Sequence, residues 1–183
     1  MAGGTAPAGD AVVISAHGTE MAVGPLRPDE HGLLYEVFRR VVEKGDGFPQ
    51  APPLTRETFE EVWAGPATAA VAARVEGRLA GAYYLKPNFP GRAAHIANAG
   101  YVVSEAHRGR GVGRALVEDS IVRAPQLGYD AVQFNLVFAS NPARALYEEL
   151  GWREIGRVPD AVAGEDAVIY WRRVGGSLDS DGG

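Results

Sequence analysis

The stretch SEAHRGRGVGRALVEDS, residues Ser104–Ser120, carries three glycines and three arginines directly after an apolar, strand-like run and directly before a helical segment. The first backbone N–H groups of a helix lack partners within the helix and carry partial positive charge. Glycines let this backbone turn sharply and let a ligand approach without meeting a Cβ atom. Arginines add bidentate donors for oxyanions. The junction is therefore typical of a site that binds a diphosphate.

The spacing of the glycines excludes two well-known phosphate-binding patterns. The P-loop ends in Gly-Lys-Ser/Thr, whereas an arginine, Arg114, follows the last glycine here. The dinucleotide fingerprint, counted from Gly109 and Gly111, requires a small third residue where this chain again has Arg114. The stretch instead matches the pattern Arg/Gln-x-x-Gly-x-Gly/Ala, whose residues here are Arg108, Gly109, Arg110, Gly111, Val112 and Gly113.

Apolar periodicity on both sides of this junction predicts alternating strands and helices. The run HIANAGYVV before it and the run DAVQFNLVF after its helix are rich in β-branched and aromatic residues, which favour strands. Upstream, we expect Asp29 and Thr55 to cap two helices and Glu76-Gly77 to turn a hairpin. Downstream, NPARALYEELG predicts a short helix, and two strands follow it. The order β-α-α-β-β-β-α-β-α-β-β predicts a mixed α/β domain.

Composition predicts where this domain begins and ends along the chain. Residues 1–18 are rich in alanine and glycine and lack periodicity, so we expect a loose arm there. Residues 19–174 are expected to form the domain, and residues 175–183, GGSLDSDGG, a flexible polar tail. The chain has 183 residues, which is long enough for one substantial core.

The composition also narrows the possible functions. The chain has no cysteine, which excludes disulfides and thiolate metal ligands and favours a reducing compartment. A net charge of -5 disfavours general nucleic-acid binding, which needs a basic surface. The four histidines show no ligand spacing, so we expect no metal site; they are His17, His31, His95 and His107.

Neither a membrane nor a secreted location is expected from the sequence. No apolar run approaches the length of a membrane span. The opening residues, MAGGTAPAGD, lack the basic start and the apolar core of a secretion signal. We therefore expect a cytoplasmic protein that does not bind a membrane.

These residues carry a resemblance to a known family. The glycine-rich pattern resembles the acyl-coenzyme A signature of the GCN5-related N-acetyltransferases (GNAT), and the element order from about Thr19 to Arg173 agrees with that family's. The segments LKPNFPGRAAHIANAGYVV, LGYDAVQFNLV and LGW are further similar to a branch that includes fungal acetyltransferases acting on azetidine-2-carboxylate and related proline analogues. The resemblance implies a mostly antiparallel mixed sheet, with a splayed parallel central strand pair and flanking helices.

The resemblance also implies acetyl-CoA as co-substrate and assigns residues to it. In the family, the pantetheine arm lies between the splayed strands and bonds to free backbone groups, and the oxyanion of the reacting thioester is held by a backbone N–H. Those backbone groups would belong to Tyr101, Val102 and Val103. The diphosphate would lie on residues 108–114, where we expect a side chain at Gly111 to project against it. These seven residues are Arg108, Gly109, Arg110, Gly111, Val112, Gly113 and Arg114.

The tyrosine that protonates the departing thiolate in the family corresponds to Tyr147. The ordinary pKa of a tyrosine, about 10, exceeds the value of about 8.5 for a thiol, so a tyrosine can hold and supply this proton at neutral pH. The sequence also allows a packing role for Tyr147, because Ala143, Leu146, Tyr147 and Leu150 fall on one helical stripe.

An asparagine is expected to bond the cofactor arm. In the family's usual spacing it precedes the tyrosine by seven residues, but Ser140 occupies that place and Asn141 follows it. Either residue is therefore a candidate for the contact, and the cofactor-binding role is assigned to Asn141. As an alternative, Asn141 directly before Pro142 is a good helix cap.

Two further asparagines are candidates for substrate binding, because the proline-analogue branch holds its substrate with asparagines at these places. They are Asn98 on the strand before the signature and Asn135 on the next strand. An amide cannot act as a base near neutral pH, so an ordered water would carry the proton. As an alternative, both asparagines satisfy backbone groups at a sheet irregularity. His95 is expected to be a strand residue and His107 a loop surface residue, and the general base remains unassigned.

The sequence thus predicts an N-acetyltransferase that transfers an acetyl group to the amine of a small molecule by direct attack on the thioester. A second hypothesis is a non-catalytic acyl-CoA-binding sensor or scaffold, which keeps the diphosphate site and does not need Tyr147. A third, nucleic-acid binding through RGRG, is disfavoured by the net charge. Many relatives form dimers, so the resemblance is compatible with a homodimer.

Overall fold

The computed structural model describes residues 9–175, and an eight-stranded mixed sheet lies at its centre. Across the sheet the strands follow the order β1-β2-β3-β4-β5-β6-β8-β7. All neighbouring strands run antiparallel except β5 and β6. The strands are β1 (Ala11–Ile14), β2 (Glu20–Pro25), β3 (Ala69–Val75), β4 (Arg78–Pro87), β5 (Ile96–Val103), β6 (Ala131–Phe138), β7 (Arg153–Val162) and β8 (Glu165–Arg173).

Four α-helices within the described residues flank this sheet: α1 (His31–Lys44), α2 (Arg56–Trp63), α3 (Val112–Gln126) and α4 (Arg144–Glu149). The cap predicted at Thr55 is confirmed, because its side chain accepts a hydrogen bond from the Thr58 N–H at 3.1 Å. The cap predicted at Asp29 is wrong. Asp29 lies inside a short 3₁₀ turn, and the Glu30 carboxylate accepts the hydrogen bond from the Arg27 N–H, at 2.8 Å.

The predicted loose arm is wrong for residues 11–14, which form strand β1. This strand pairs with β2 from Ala11 opposite Val23 to Ile14 opposite Glu20. The β-branched run Val12–Ile14 favours a strand, and Val13 packs against the core. Pairing also covers the β2 edge, whose backbone groups would otherwise lack partners. Residues 1–8 and most of the predicted tail, from residue 176 on, lie outside the described part of the chain.

Two hydrophobic clusters lie on opposite faces of the sheet. Adjacent side chains of a strand point to opposite faces, so Tyr83 joins the cluster beneath α3 and α4, whereas Tyr84 joins the cluster beneath α1 and α2. Trp63 of α2 packs edge-to-face on Tyr84, with ring centroids 5.3 Å apart. The sheet is therefore covered on both faces, and this fixes the position of its central strands.

A buried ion pair joins β3 to the start of α1. The Arg74 side chain is 2% exposed and donates two hydrogen bonds of 2.6 Å to the carboxylate of Glu30, which is 8% exposed. Burial acts to raise the pKa of Glu30, but the hydrogen bonds from Arg74 and the Arg27 backbone outweigh it, and the pKa lies below its ordinary value. The pair therefore remains charged in the folded protein at neutral pH.

The parallel pair of strands separates after only three residue pairs. Ile96, Ala97 and Asn98 of β5 pair with residues 131–133 of β6, whereas β5 continues to Val103 and β6 continues to Phe138. Beyond Asn98, β5 remains paired with β4 only. A cleft opens between the two strands, and the predicted fold class, a mixed sheet with a splayed parallel pair, is confirmed.

Candidate active site

A cavity of about 510 Å³ occupies the cleft where β5 and β6 separate. Its walls come from the end of β5, the glycine-rich turn, the start of α3, the segment before and within α4, and the loop after α1. The following predicted site residues line it: Asn98, Tyr101, Val102, Val103, Arg108, Gly109, Gly111, Val112, Gly113, Asn135, Asn141 and Tyr147. One cavity thus collects residues from the predicted cofactor, substrate and catalytic sets.

The register of β5 determines which backbone groups face the cleft. The Ser104 N–H donates to the Ala80 carbonyl at 2.9 Å, and the Asn88 N–H donates to the Ile96 carbonyl at 2.8 Å. Residues that bond to one neighbouring strand alternate with residues that point away from it. Even-numbered residues of β5 therefore bond to β4. The odd-numbered residues Tyr101 and Val103 direct their N–H and C=O groups toward the cleft.

This alternation corrects one predicted role. Val102 pairs with Ala82 of β4, so its backbone groups are used within the sheet. The prediction that the backbone of Val102 bonds the cofactor arm is therefore wrong, although its buried side chain lines the cavity. The backbone groups of Tyr101 and Val103 stay as candidates. The Tyr101 hydroxyl is hydrogen-bonded to Ser120 of α3 at 2.8 Å, and its ring packs edge-to-face against Phe134 of β6, with centroids 5.8 Å apart.

The glycine-rich turn adopts the backbone that its sequence predicts. Gly109 has a φ of 72° and Gly111 a φ of 83°, both in the left-handed region that favours glycine. Gly111 directly precedes the first residue of α3, so the free amides of that helix open onto the cavity. The junction thus has the geometry of an anion-binding helix start.

The reason for glycine at position 111 differs from the expected one. A Cβ atom there would lie 2.6 Å from Cβ of Ser15, in the turn between β1 and β2. The expectation that a side chain at Gly111 would project against the diphosphate is therefore wrong. Close packing of the β1–β2 turn and the positive φ together require the glycine.

The three arginines of the turn are placed differently. Arg108 lines the cavity and donates to the Asp46 carboxylate at 2.6 Å. Arg114 instead donates to Glu149 of α4 at 2.6 Å, because the first turn of α3 faces α4 there. Neither Arg114 nor Arg110 lines the cavity, so the structure does not bring them to the predicted site. No sequence signal pointed to Asp46, since its contact joins segments that are far apart in the chain.

Tyr147 combines the two features that the sequence allows, a ring packed in the core and a hydroxyl at the cleft. Its side chain is 7% exposed, and its ring packs against Phe134 and Trp152, with centroids 4.8 and 6.0 Å away. It also lines the cavity, and none of the hydrogen bonds within residues 9–175 uses its hydroxyl. Burial raises the pKa of Tyr147, with a further contribution from Tyr170. A packed ring thus presents a protonated hydroxyl at the cleft.

Asn141 faces the cavity and Ser140 does not. The Asn141 side-chain oxygen accepts from the Ala143 N–H at 2.9 Å, which closes a turn before α4. The N-cap residue of α4 is Ala143, so the predicted helix-capping role of Asn141 is wrong. The Asn141 amide nitrogen points toward Gly47, where an added Cβ would lie 3.5 Å away. Ser140 lies outside the lining and donates its N–H to Glu165. The contact between Asn141 and the cofactor arm stays a prediction, and of the two candidates only Asn141 has the required position.

Asn98 stands at the point where the two strands separate. Its amide group donates to the Gln133 carbonyl at 3.1 Å, and its oxygen accepts from the Tyr84 hydroxyl at 3.1 Å. The alternative role, satisfying backbone at a sheet irregularity, is confirmed for this residue. Burial raises the pKa of Tyr84 to about 12, so its hydroxyl remains a donor.

Asn135 forms a reciprocal amide pair with Asn88, a residue that the sequence analysis did not single out. Asn88 donates to the Asn135 oxygen at 3.1 Å, and Asn135 donates to the Asn88 oxygen at 2.6 Å. Gln133 adds a third amide, with a donor distance of 2.9 Å to Asn135. Asn135 lines the cavity and is exposed, so its role in binding substrate stays a prediction.

The cavity wall holds few groups able to take a proton. Among the described residues, the only carboxylate in the lining is Asp46, which is paired with Arg108. His107 also lines the cavity and is partly buried, so its expected place on the loop surface is wrong; its Nδ1 lies 2.7 Å from the Ser104 hydroxyl. His95 lies outside the lining and bonds to the Arg92 carbonyl at 2.9 Å.

Residues 9–175 contain neither a metal-ligand cluster nor a membrane-spanning helix. The described part of the chain contains no group of three or more His, Asp or Glu placed to hold a metal ion. None of its helices is both long and apolar enough to cross a membrane.

Comparison with known proteins agrees with this geometry. The acetyltransferase (GNAT) family pattern matches residues 34–152. The N-acetyltransferase aca1 of Schizosaccharomyces pombe is 34% identical over 137 residues, which cover 66% of each chain. A GCN5-related N-acetyltransferase from Kribbella flavida has a solved structure with 34% identity and a TM-score of 0.78, covering 84% of this chain and 97% of that one. The yncA protein of Salmonella typhimurium, solved with acetyl-CoA, has 15% identity and a TM-score of 0.76, covering 88% and 98%.

The chain therefore belongs to the GNAT acetyltransferase family, as its sequence predicted. The family is one of acetyltransferases, and the yncA structure holds acetyl-CoA as its cofactor. The chain spans 66% of the length of the fission-yeast relative. The more specific resemblance, to acetyltransferases of proline analogues, stays a prediction.

Proposed function

We propose that the protein transfers the acetyl group of acetyl-CoA to the amine of a small molecule, by direct attack of the amine on the thioester. The observation that supports this most is the cleft itself. The free backbone groups of Tyr101 and Val103 lie between a glycine-rich helix start and the hydroxyl of Tyr147, within one cavity.

Each part of the cleft has a distinct task in this proposal. Acetyl-CoA supplies an activated acetyl thioester when it is bound. The amides at the start of α3, with Arg108, hold its diphosphate. The backbone of Tyr101 and Val103 orients the arm, and the Val103 N–H donates to the carbonyl oxygen as negative charge develops there.

Tyr147 is the proposed general acid. The departing thiolate needs a proton, and the hydroxyl of Tyr147 is protonated at neutral pH, because burial raises its pKa still further above the ordinary tyrosine value of about 10. Its ring is fixed by Phe134 and Trp152, so little motion is required to place the hydroxyl. The chain contains no cysteine, so no cysteinyl acyl-enzyme can form, and this favours direct transfer.

The acceptor end of the cavity is lined by neutral amides. Asn98, Asn135 and Gln50 all belong to the lining, and the side-chain oxygen of Gln50 is buried without a hydrogen-bond partner in the described residues. Such an oxygen is satisfied when a ligand N–H group donates to it. Because these amides cannot take a proton, we expect water to accept the proton of the amine.

The proposal is tested by incubating the purified protein with acetyl-CoA and a panel of small amines that includes azetidine-2-carboxylate, polyamines and primary amino acids. Free thiol and the acetylated product are measured together, and acetyl-CoA without amine gives the background. We expect at least one amine to raise thiol release well above background, with product formed in equal amount. Tight binding of acetyl-CoA without turnover on any amine would support the sensor hypothesis instead.

The cytoplasmic location and the homodimer expected from the sequence stay predictions. Cell fractionation tests the location, and light scattering coupled to size exclusion tests the dimer. Neither outcome alters the chemistry proposed for the cleft.

A further inference from the structure

A second hollow lies at the open end of β8, away from the cleft. Its walls are Gly151, Arg153, Trp171, Arg172 and Arg173, and we refer to these five residues as the arginine hollow. None of them lines the active-site cavity. Arg172 and Arg173 pair with the first residues of β6, Val132 and Ala131, whereas the cleft begins where the pairing of β5 with β6 ends, at Gln133.

The strand register explains why three guanidinium groups meet here. The first pair between β7 and β8 joins Arg153 to Trp171, so Arg172 and Arg173 extend past the start of β7. On that side the end of β8 has no neighbouring strand within the described residues. Successive side chains alternate between faces, so Arg172 and Arg173 flank the open edge from opposite sides while Arg153 closes its end.

These three arginines have no carboxylate partners in the described residues, a property that they share with Arg78 and several other arginines. Within residues 9–175, none of the three forms an ion pair, whereas Arg108 and Arg157 each donate to a carboxylate at 2.6 Å. Like charges repel one another unless a counter-ion lies between them.

Two of these guanidinium groups contact aromatic rings instead of carboxylates. The guanidinium of Arg172 lies over the Trp152 ring, 5.3 Å from its centroid, and that of Arg153 lies 5.4 Å from the centroid of Trp171. Such contacts stabilise the positive charge through the ring face. They leave the N–H groups in the guanidinium plane available to an oxyanion.

One donor in this hollow is already removed from water. Nε of Arg172 is buried and has no hydrogen-bond partner in the described residues. A charged donor that has lost its water and has no acceptor is costly. Glycine at position 151 lets the Arg172 side chain pack closely there, since a Cβ at this position would lie 3.0 Å from Nη1 of Arg172. The hollow thus contains a charged side chain with one donor that no acceptor in the described residues satisfies.

We propose that the arginine hollow binds a phosphate-type oxyanion. The forked donors of a guanidinium match the oxygens of a phosphate, and three such groups around one open strand end supply both the charge and the donors. This site is separate from the diphosphate site of the cleft, and the proposal does not depend on the activity proposed there. The ligand class is inorganic phosphate or a phosphate monoester.

Inorganic phosphate is the probe for the first test, with the full chain kept free of coenzyme A, whose own phosphate groups would compete for the hollow. Phosphate is titrated while the NMR signals of the Arg172 Nε–H and the Trp171 indole N–H are followed. We expect both signals to shift in a saturable way, with a dissociation constant below about 1 mM. Sodium acetate and sodium chloride at matched ionic strength should give only small linear shifts. If phosphate acts like these salts, the site does not exist.

Variants on the exposed side of the hollow provide the second test. Arg153→Gln combined with Arg173→Gln should weaken phosphate binding at least tenfold without disturbing the packing of Arg172 on Trp152. Arg78→Gln is the matched control, because Arg78 is an exposed arginine of β4 without an ion pair in the described residues. Affinity should be unchanged in this control. Equal weakening in both proteins would mean that phosphate responds to overall charge, and this would overturn the proposal. Phosphate monoesters are then compared with inorganic phosphate to identify which of the two the hollow prefers.

Discussion

Arg108 is held by Asp46 across the mouth of the cleft, with 2.6 Å between Nη2 and the carboxylate oxygen. The arginine that the signature directs toward a diphosphate is thereby tied to the loop after α1. A second ion pair, between Lys44 and Glu105 at 2.9 Å, joins the same two segments. The position of this loop is therefore linked to the guanidinium that we propose to bind the cofactor.

The first prediction concerns competition for Arg108. Asp46→Asn should tighten the binding of acetyl-CoA by up to about fivefold, because an exposed ion pair of this kind contributes about 0.2–1 kcal/mol. Calorimetric titration of the two proteins measures the change. Glu105→Gln is the control, because it removes one negative charge nearby without freeing Arg108. If both variants gain equally, the effect comes from general charge and not from competition.

The second prediction concerns the general acid. Tyr147→Phe should lower kcat by roughly 100-fold or more, since general acid catalysis contributes about 10²–10⁴-fold. The Kd of acetyl-CoA should stay within about twofold of wild type, because the ring and its packing remain. Tyr101→Phe provides the comparison, since its hydroxyl bonds to Ser120. A loss of kcat in Tyr101→Phe as large as that in Tyr147→Phe would contradict the assigned role.

The third prediction concerns the alkaline side of the pH profile. Burial raises the pKa of Tyr147 above the ordinary value of about 10. A general acid works in its protonated form, so a raised pKa moves the loss of activity to higher pH. With an active amine, kcat should not fall between pH 7 and about pH 9.5. Stopped assays corrected for the spontaneous hydrolysis of the thioester measure this, and a fall with a midpoint below pH 9 would argue against Tyr147 as the acid.

The fourth prediction separates two glycines of the same turn. Gly109→Ala adds a Cβ that meets no atom within 4 Å, so only the positive φ resists it, at about 1–2 kcal/mol. Gly111→Ala adds the same strain and a contact of 2.6 Å with Cβ of Ser15. It should therefore lower Tm by more than Gly109→Ala does. Adding Ser15→Gly should recover part of the loss, and an absence of recovery would refute the packing explanation.

The fifth prediction concerns the buried ion pair of β3 and α1. Arg74→Met leaves the Glu30 carboxylate buried and unpaired, which should lower the free energy of unfolding by about 3–5 kcal/mol at pH 7. Combining it with Glu30→Leu should recover much of this loss. Because the pKa of Glu30 is lowered in the folded state, its contribution is present above its ordinary pKa and is lost as pH falls through the lowered value. Urea unfolding at pH 7 and pH 4 should therefore show a smaller deficit for Arg74→Met at the lower pH.

Local signals explain what the sequence could predict. The turn after β5 could be predicted because its glycines, its arginines and the helix that follows are adjacent in the chain, and the φ values of Gly109 and Gly111 agree with that interpretation. The helix cap at Thr55 and the hairpin turn at Glu76-Gly77 could be predicted for the same reason, because each depends on residues adjacent in the chain. The separation of the parallel strands β5 and β6 was predicted from the resemblance to a family, since periodicity alone does not determine which strands run parallel.

Contacts between distant segments account for what the sequence did not predict. The direction of the Val102 backbone follows from its register with Ala82, which no single run of residues specifies. The partners of Arg108 and Asn135 are Asp46 and Asn88, each far away in the chain. Strand β1 was missed because its short β-branched run lies within a segment rich in alanine and glycine.

The backbone groups of β5 point alternately toward β4 and toward the cleft, so only two arrangements are possible. Either the odd-numbered or the even-numbered residues face the cleft. The amides of β5 reach the cofactor space at every second residue, roughly 6.8 Å apart. Inserting one residue between Asn98 and Tyr101 would turn the backbone amides of Tyr101 and Val103 toward β4. The amides of the neighbouring residues would then face the cleft, and the number of hydrogen bonds between β4 and β5 would stay the same. Substitutions can therefore tune this enzyme gradually, whereas a change of one in the length of β5 would exchange its entire set of donors.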